Sequence, residues 1–154
     1  ETMQLDYDPA RMTYAALLKV FWAAHDPAVK CSSKQYMPVI FYHDPAQKAQ
    51  AEQTMAAEAK RLGKQIYTLI LPASAFHLAE DYHQKYYLTL DSLLLSEMKA
   101  HYPKVKDLIR STAAARLNGY VSGYGTQTTL EGEIQSLGLS AAGRARLRSL
   151  VKTK

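Results

Sequence analysis

The hydrophobic pattern of this chain changes in kind near residue 75, and that change restricts its fold more than any other feature. Before it, two-residue and helical periods alternate; after it, only helical ones remain. Met3, Leu5 and Tyr7 alternate with Thr2, Gln4 and Asp6, which predicts a half-buried strand. Tyr14, Leu17, Leu18, Phe21 and Trp22 follow at i, i+3, i+4, i+7 and i+8, the apolar face of a helix over about 13–24. His25-Asp26-Pro27 ends that helix, because a residue before proline avoids helical angles. A second strand is expected within 35–43, through Val39, Ile40, Phe41 and Tyr42, and a third within 65–71, through Ile66, Tyr67, Leu69 and Ile70. Between them Asp44 is placed to cap a helix, Pro45 fits its first turn, Gln47 reaches back, and Gly63 stops it.

After Ser74 the pattern predicts helices over about 79–88, 91–100 and 103–117, the last ending at Asn118-Gly119. A glycine-rich loop over 119–125 and helices over 128–137 and 140–152 complete the chain. A β-α-β-α-β run followed by helices reads as α+β, with helices covering one face of a mostly antiparallel sheet.

With 154 residues, 47% of them hydrophobic, the chain is long enough for one domain with its own core. No apolar run approaches the roughly 20 residues of a membrane span. The start shows no basic stretch followed by an apolar one, so no signal peptide is expected, and opening on Glu1 predicts a trimmed N-terminus. The net charge of +5 is matched by Arg144, Arg146, Arg148, Lys152 and Lys154 in a terminal stretch without acids. Balanced charge elsewhere, with no zinc-finger or recognition-helix spacing, argues against nucleic acid as a partner. The lone Cys31 excludes an internal disulfide and points to a reducing compartment such as the cytoplasm.

The densest chemistry lies in Phe76-His77-Leu78-Ala79-Glu80-Asp81-Tyr82-His83-Gln84-Lys85-Tyr86-Tyr87. On a helix from about Ala79, Tyr82 and Tyr86 share a face, and Asp81 lies near Lys85 at the same i, i+4 spacing. Tyrosine hydroxyls beside a carboxylate suit the binding of a polar group that must gain or hold a proton. The bland reading is a surface helix with ion pairs and half-buried tyrosines. A metal reading through His77, Glu80 and His83 fails on spacing, since histidines six apart suit neither a helical pair nor common loop sites; no metal is expected.

Several segments together resemble the A-type peptide methionine sulfoxide reductases. They are Tyr7-Asp8-Pro9, Tyr14 to Leu18, Phe21-Trp22, His25-Asp26-Pro27, Gln35-Tyr36, Ile40-Phe41-Tyr42-His43, Gln47 and, above all, Ala79 to Tyr86. Their order is that of the family across residues 1–88, and the likeness loosens beyond 90.

The resemblance implies a truncated ferredoxin-like two-layer sandwich retaining three strands. Residues 1–90 would be its catalytic part, and 91–154 a helical extension packed on the same domain. It implies that Glu1 protonates a sulfoxide oxygen, that Asp81 holds the substrate backbone, and that Tyr86 donates a hydrogen bond to the same oxygen. Tyr82 and Tyr36 are implied to bind substrate. A neutral carboxylic acid at the sulfoxide oxygen lets a thiolate attack the sulfur. The products are methionine and a cysteine sulfenic acid that a second thiol reduces.

The family's glycine-cysteine-phenylalanine-tryptophan segment, which holds the nucleophile, is absent, so no nucleophile is expected in this chain. Phe21-Trp22 reads instead as core. Cys31 lies in a loop shorter than the family's, and Met37-Pro38 replaces arginine-serine after Gln35-Tyr36. The 119–125 loop lacks the cysteines that many members keep there. The reductant would then be an external thiol such as thioredoxin or glutathione, with no bound cofactor. The substrate would be methionine sulfoxide in proteins or peptides, in the cytoplasm or an organelle. The alternatives are a non-catalytic relative binding methionine-containing partners, and an interaction module using the basic terminal helix.

Overall fold

The computed structural model describes residues 2–151. They fall into two compact units, divided between Phe76 and His77.

The first unit is built on a strand-helix-strand crossover. Strand β1 (Val39–Tyr42) leads into an 18-residue helix, α2 (Pro45–Leu62), which returns the chain to β2 (Leu69–Pro72). A helix of that length carries the chain back to the starting edge, so the strands pair in parallel, Val39 opposite Leu69 and Phe41 opposite Leu71. The start of α2 follows the local chemistry: Asp44 Oδ1 accepts the Gln47 N–H at 2.8 Å, while Gln47 Oε1 accepts the His43 N–H at 3.0 Å. Gly63 ends it in the left-handed conformation, φ +63°. Helix α1 (Tyr14–Ala23), capped by Thr13, supplies Leu18 and Trp22 to a core shared with Ile40 and Ala51. Trp22 Nε1 donates to Thr54 Oγ1 at 3.0 Å, joining α1 to α2. His25 extends that joint, its ring bonded to the Phe21 carbonyl at 2.9 Å and the Thr68 hydroxyl at 3.2 Å.

Ile40 and Ile70 face this core, whereas Phe41, Leu69 and Leu71 on the other face of the sheet are exposed.

The second unit is helical. After a 3-10 turn (Asp81–His83) come α3 (Tyr86–Thr89), α4 (Ser92–His101), α5 (Val105–Arg110), α6 (Thr112–Val121) and α7 (Gln127–Glu133). A second 3-10 turn (Ile134–Leu137) and α8 (Ala141–Leu150) follow. Leu88, Leu94, Met98, Leu117, Leu130, Ile134 and Leu147 are buried completely or nearly so and form one core. Glu97 ties α4 to α8: its carboxylate accepts the Ser140 N–H at 2.8 Å and the Ser140 hydroxyl at 2.5 Å. The arginines of α8 do not make a free basic face. Arg144 donates to the Leu139 carbonyl, Arg146 meets Asp91 at 2.8 Å, and Arg148 holds Glu131 through two bonds of 2.6 and 2.8 Å. Lys152 and Lys154 lie outside the described residues.

The mixed helix-and-sheet class holds, with corrections to its elements. Among the described residues the sheet has two strands rather than three, and they are parallel rather than antiparallel. Residues 3–7 are not a strand; Met3 and Leu5 are largely exposed, and alternation makes a strand only where a neighbour accepts the backbone hydrogen bonds. The expected 103–117 helix is two helices. Ser111 breaks it by taking extended angles and capping α6, its hydroxyl accepting the Ala114 N–H at 3.1 Å. Asn118-Gly119 stops nothing, and α6 continues to Val121.

Candidate functional site

The Ala79–Tyr86 segment is not the continuous helix its spacing suggests. Its first half closes as a tight turn, with the His83 N–H on the Glu80 carbonyl at 2.9 Å and the Gln84 N–H on the Asp81 carbonyl at 3.1 Å. The Gln84 side chain clasps the same turn, Nε2 donating to the Ala79 carbonyl at 3.1 Å. Lys85 then takes left-handed angles, φ +51° and ψ +44°, and α3 begins at Tyr86.

That kink removes the helical relationships expected here. The pairing of Asp81 with Lys85 is not made; the ion pair of this turn joins His83 to Glu80 at 3.7 Å, with both side chains well exposed. Tyr82 and Tyr86 no longer share a helical face, because extended Gln84 and left-handed Lys85 stand between them. The Tyr82 ring packs on His83 at 4.3 Å, and Tyr86 lies edge-on to Tyr87 at 5.5 Å.

Below the turn the backbone is anchored. Leu88 is fully buried, and its N–H donates to Asn118 Oδ1 at 3.2 Å, thirty residues away on α6. Thr89 Oγ1 donates to the Tyr86 carbonyl at 2.6 Å. The result is a short, pinned segment whose expected site side chains face solvent. Asp81, Tyr82 and Tyr86 are exposed, Tyr82 at 65% and Tyr86 at 54%. A carboxylate and two phenol hydroxyls on one braced turn can accept and donate hydrogen bonds to a polar ligand. Burial shifts the half-buried Lys85 amine downward, toward its neutral form.

The remaining expected residues lie elsewhere. Tyr36 belongs to the first unit, in the loop before β1, and is 64% exposed. Cys31 is half-buried in the same loop, its thiol turned onto the Ser33 carbonyl at 3.4 Å. Glu1 lies outside the described residues. Among the described residues, no three histidine, cysteine, aspartate or glutamate side chains are gathered to hold a metal ion. No helix among them is long and apolar enough to cross a membrane.

A shallow cavity of about 270 Å³ in the second unit, lined by Met98, His101, Tyr102 and Gly138 among others, shares no residue with the Asp81–Tyr86 turn. It has little to offer chemically, since His101 Nε2 is already bonded to the Gly138 carbonyl at 2.7 Å.

Sequence reasoning missed Lys85 and Asn118. The left-handed lysine has no local signal, since glycine or asparagine is the residue that marks such a position. Asn118 reads as a helix stop until its side chain is seen bonded to a distant N–H.

A family model described as peptide methionine sulfoxide reductase matches residues 1–116. A second, the helical domain of selenoprotein methionine sulfoxide reductase A, matches residues 105–144. A peptide methionine sulfoxide reductase of Drosophila melanogaster is 35% identical over 146 residues, 94% of this chain and 58% of the relative. The peptide methionine sulfoxide reductase MsrA of Methanosarcina acetivorans is 42% identical over 95 residues, 56% of this chain and 50% of its own. Peptide methionine sulfoxide reductase A2 of Arabidopsis thaliana is 37% identical over 91 residues, 56% of this chain and 42% of its own. The chain thus spans about half the length of the curated relatives it matches.

Proposed function

Since this chain belongs to the peptide methionine sulfoxide reductase family, we propose that its parent protein reduces methionine S-sulfoxide, free or in peptides, to methionine. The observation that carries this reading is the braced, solvent-facing Asp81–Tyr86 turn lying wholly inside the family match. Tyr86 donates its phenol hydrogen bond to the sulfoxide oxygen, and Asp81 holds the peptide backbone beside it. The resemblance also assigns Tyr82 and Tyr36 to substrate binding. Glu1, as a neutral acid, protonates the oxygen.

A cysteine thiolate carried by polypeptide outside these residues attacks the sulfur. The oxygen passes to that cysteine as a sulfenic acid, and methionine leaves. A first external thiol condenses with the sulfenic acid, releasing water and forming a mixed disulfide, and a second frees the enzyme cysteine. No bound cofactor is needed for this two-electron transfer. Thioredoxin or glutathione in a reducing cytoplasm or organelle has the required chemistry, and the unpaired Cys31 is compatible with such a compartment. Residues 1–90 form the catalytic part in this reading and 91–154 a helical extension. Phe41, Leu69 and Leu71 on the exposed sheet face would gain burial under a further layer of the parent.

The test is to produce the parent protein and follow loss of one oxygen from a methionine-S-sulfoxide peptide by mass spectrometry, with a dithiol as reductant. Turnover is expected. Asp81→Asn and Tyr86→Phe should each lower kcat/KM about tenfold or more. A parent protein without turnover would dismiss the reading.

A further inference from the structure

Lys85 is the only non-glycine residue with positive φ among those described. A side chain with a Cβ persists in that conformation only where its surroundings impose it. Both flanks do so here. Upstream, three hydrogen bonds close the 79–84 turn, one of them from the Gln84 side chain. Downstream, Leu88 is sealed in the core with its N–H held by Asn118, and the Thr89 N–H returns to the Lys85 carbonyl at 3.2 Å. Lys85 is the joint between two fixed pieces, one carrying Asp81 and Tyr82 and the other beginning with Tyr86.

We propose that Lys85 is a positioning residue, whose left-handed backbone sets how Asp81 and Tyr86 are presented together to one substrate. The proposal rests on the reading of this turn as a sulfoxide site. It deepens that reading by assigning the geometry to a residue that touches no reacting atom. Gln84 is extended, so Lys85 sets the direction in which the chain leaves the turn, and helical angles there would rotate Tyr86 relative to Asp81. The ammonium is not what the position uses: Lys85 makes no salt bridge among the described residues, and half-burial opposes its charge.

The experiment compares K85G, K85N and K85V in the parent protein. All three remove the charge, but only glycine and asparagine accept left-handed angles readily. Reduction of a methionine-S-sulfoxide peptide should keep kcat/KM within about threefold in K85G and K85N, and fall about tenfold in K85V, chiefly through KM. Amide exchange at Leu88 should quicken in K85V alone. If K85V fails to fold, K85A replaces it, with a smaller loss in the same direction expected. The proposal is overturned if K85V matches the wild type, or if K85G falls as far as K85V, which would assign the role to the ammonium. Absence of turnover in the wild type ends the sulfoxide reading separately. Leu88 exchange then decides alone: quickening in K85V but not K85G upholds Lys85 as the joint, and equal exchange overturns it.

Discussion

The Asp91 carboxylate and the Arg146 guanidinium meet at 2.8 Å across 55 residues of chain, tying the start of α4 to α8. The same carboxylate caps α4 by accepting the Leu94 N–H at 3.1 Å. Burial alone would push the Asp91 carboxyl up, but the Leu94 N–H and then Arg146 outweigh it and hold it below the usual carboxylate range.

Stability should therefore depend on pH in a particular direction. A carboxyl whose folded pKa is depressed contributes fully above the unfolded value of about 3.9, and that contribution is lost as pH falls through the folded value. Urea denaturation should show the wild type losing stability below about pH 4. Asp91→Asn should be weaker at neutral pH and flatter across that acid window. Asp91→Ala, which also loses the cap, should cost about 2–3 kcal/mol. Parallel acid profiles for wild type and Asp91→Asn would contradict this account.

Two glycine substitutions should move in opposite directions. A Cβ at Gly143 would run into the Glu97 carboxylate that holds Ser140, so Gly143→Ala should cost about 1–3 kcal/mol. Gly132, in α7, has open space where a Cβ would go, and Gly132→Ala should add about 0.5–1 kcal/mol by helix propensity. Thermal melts of the two variants decide it; equal shifts would count against the Glu97 clasp.

Among the described residues the buried Tyr14 hydroxyl has no hydrogen-bond partner, and its phenol is pushed up first by burial and then by Tyr7 and Asp44. Removing an unpaired polar atom relieves its desolvation penalty. Tyr14→Phe should leave the melting temperature unchanged or raise it slightly. A loss above about 1 kcal/mol would show that the hydroxyl has found a partner.

Cys31→Ser in the parent protein should keep turnover within about twofold, since a thiol turned onto a backbone carbonyl in a short loop is poorly set to attack a sulfoxide. Loss of activity in that variant would make Cys31 the nucleophile.

Local chemistry was legible where neighbours in sequence are neighbours in space. The Leu18–Trp22 face of α1, the Asp44-Pro45 start of α2 and its Gly63 stop all follow from side chains within a turn of one another. Asp81, Tyr82 and Tyr86, offered for substrate, are close along the chain and share one exposed turn. Their geometry was not legible: the i, i+4 relation assumed a helix that Gln84 and Lys85 interrupt.

By itself, then, the sequence determined the caps of α2, the apolar face of α1 and the strand-helix-strand core of the first unit. These depend on propensities and hydrogen bonds spanning a few residues. Only tertiary structure decided that residues 3–7 are left without a strand partner, that β1 and β2 run parallel, and that Asn118 serves Leu88 rather than ending a helix. Each of those outcomes rests on which backbone groups distant parts of the chain bring within bonding distance, and a left-handed lysine persists because such distant anchors outweigh its local preference.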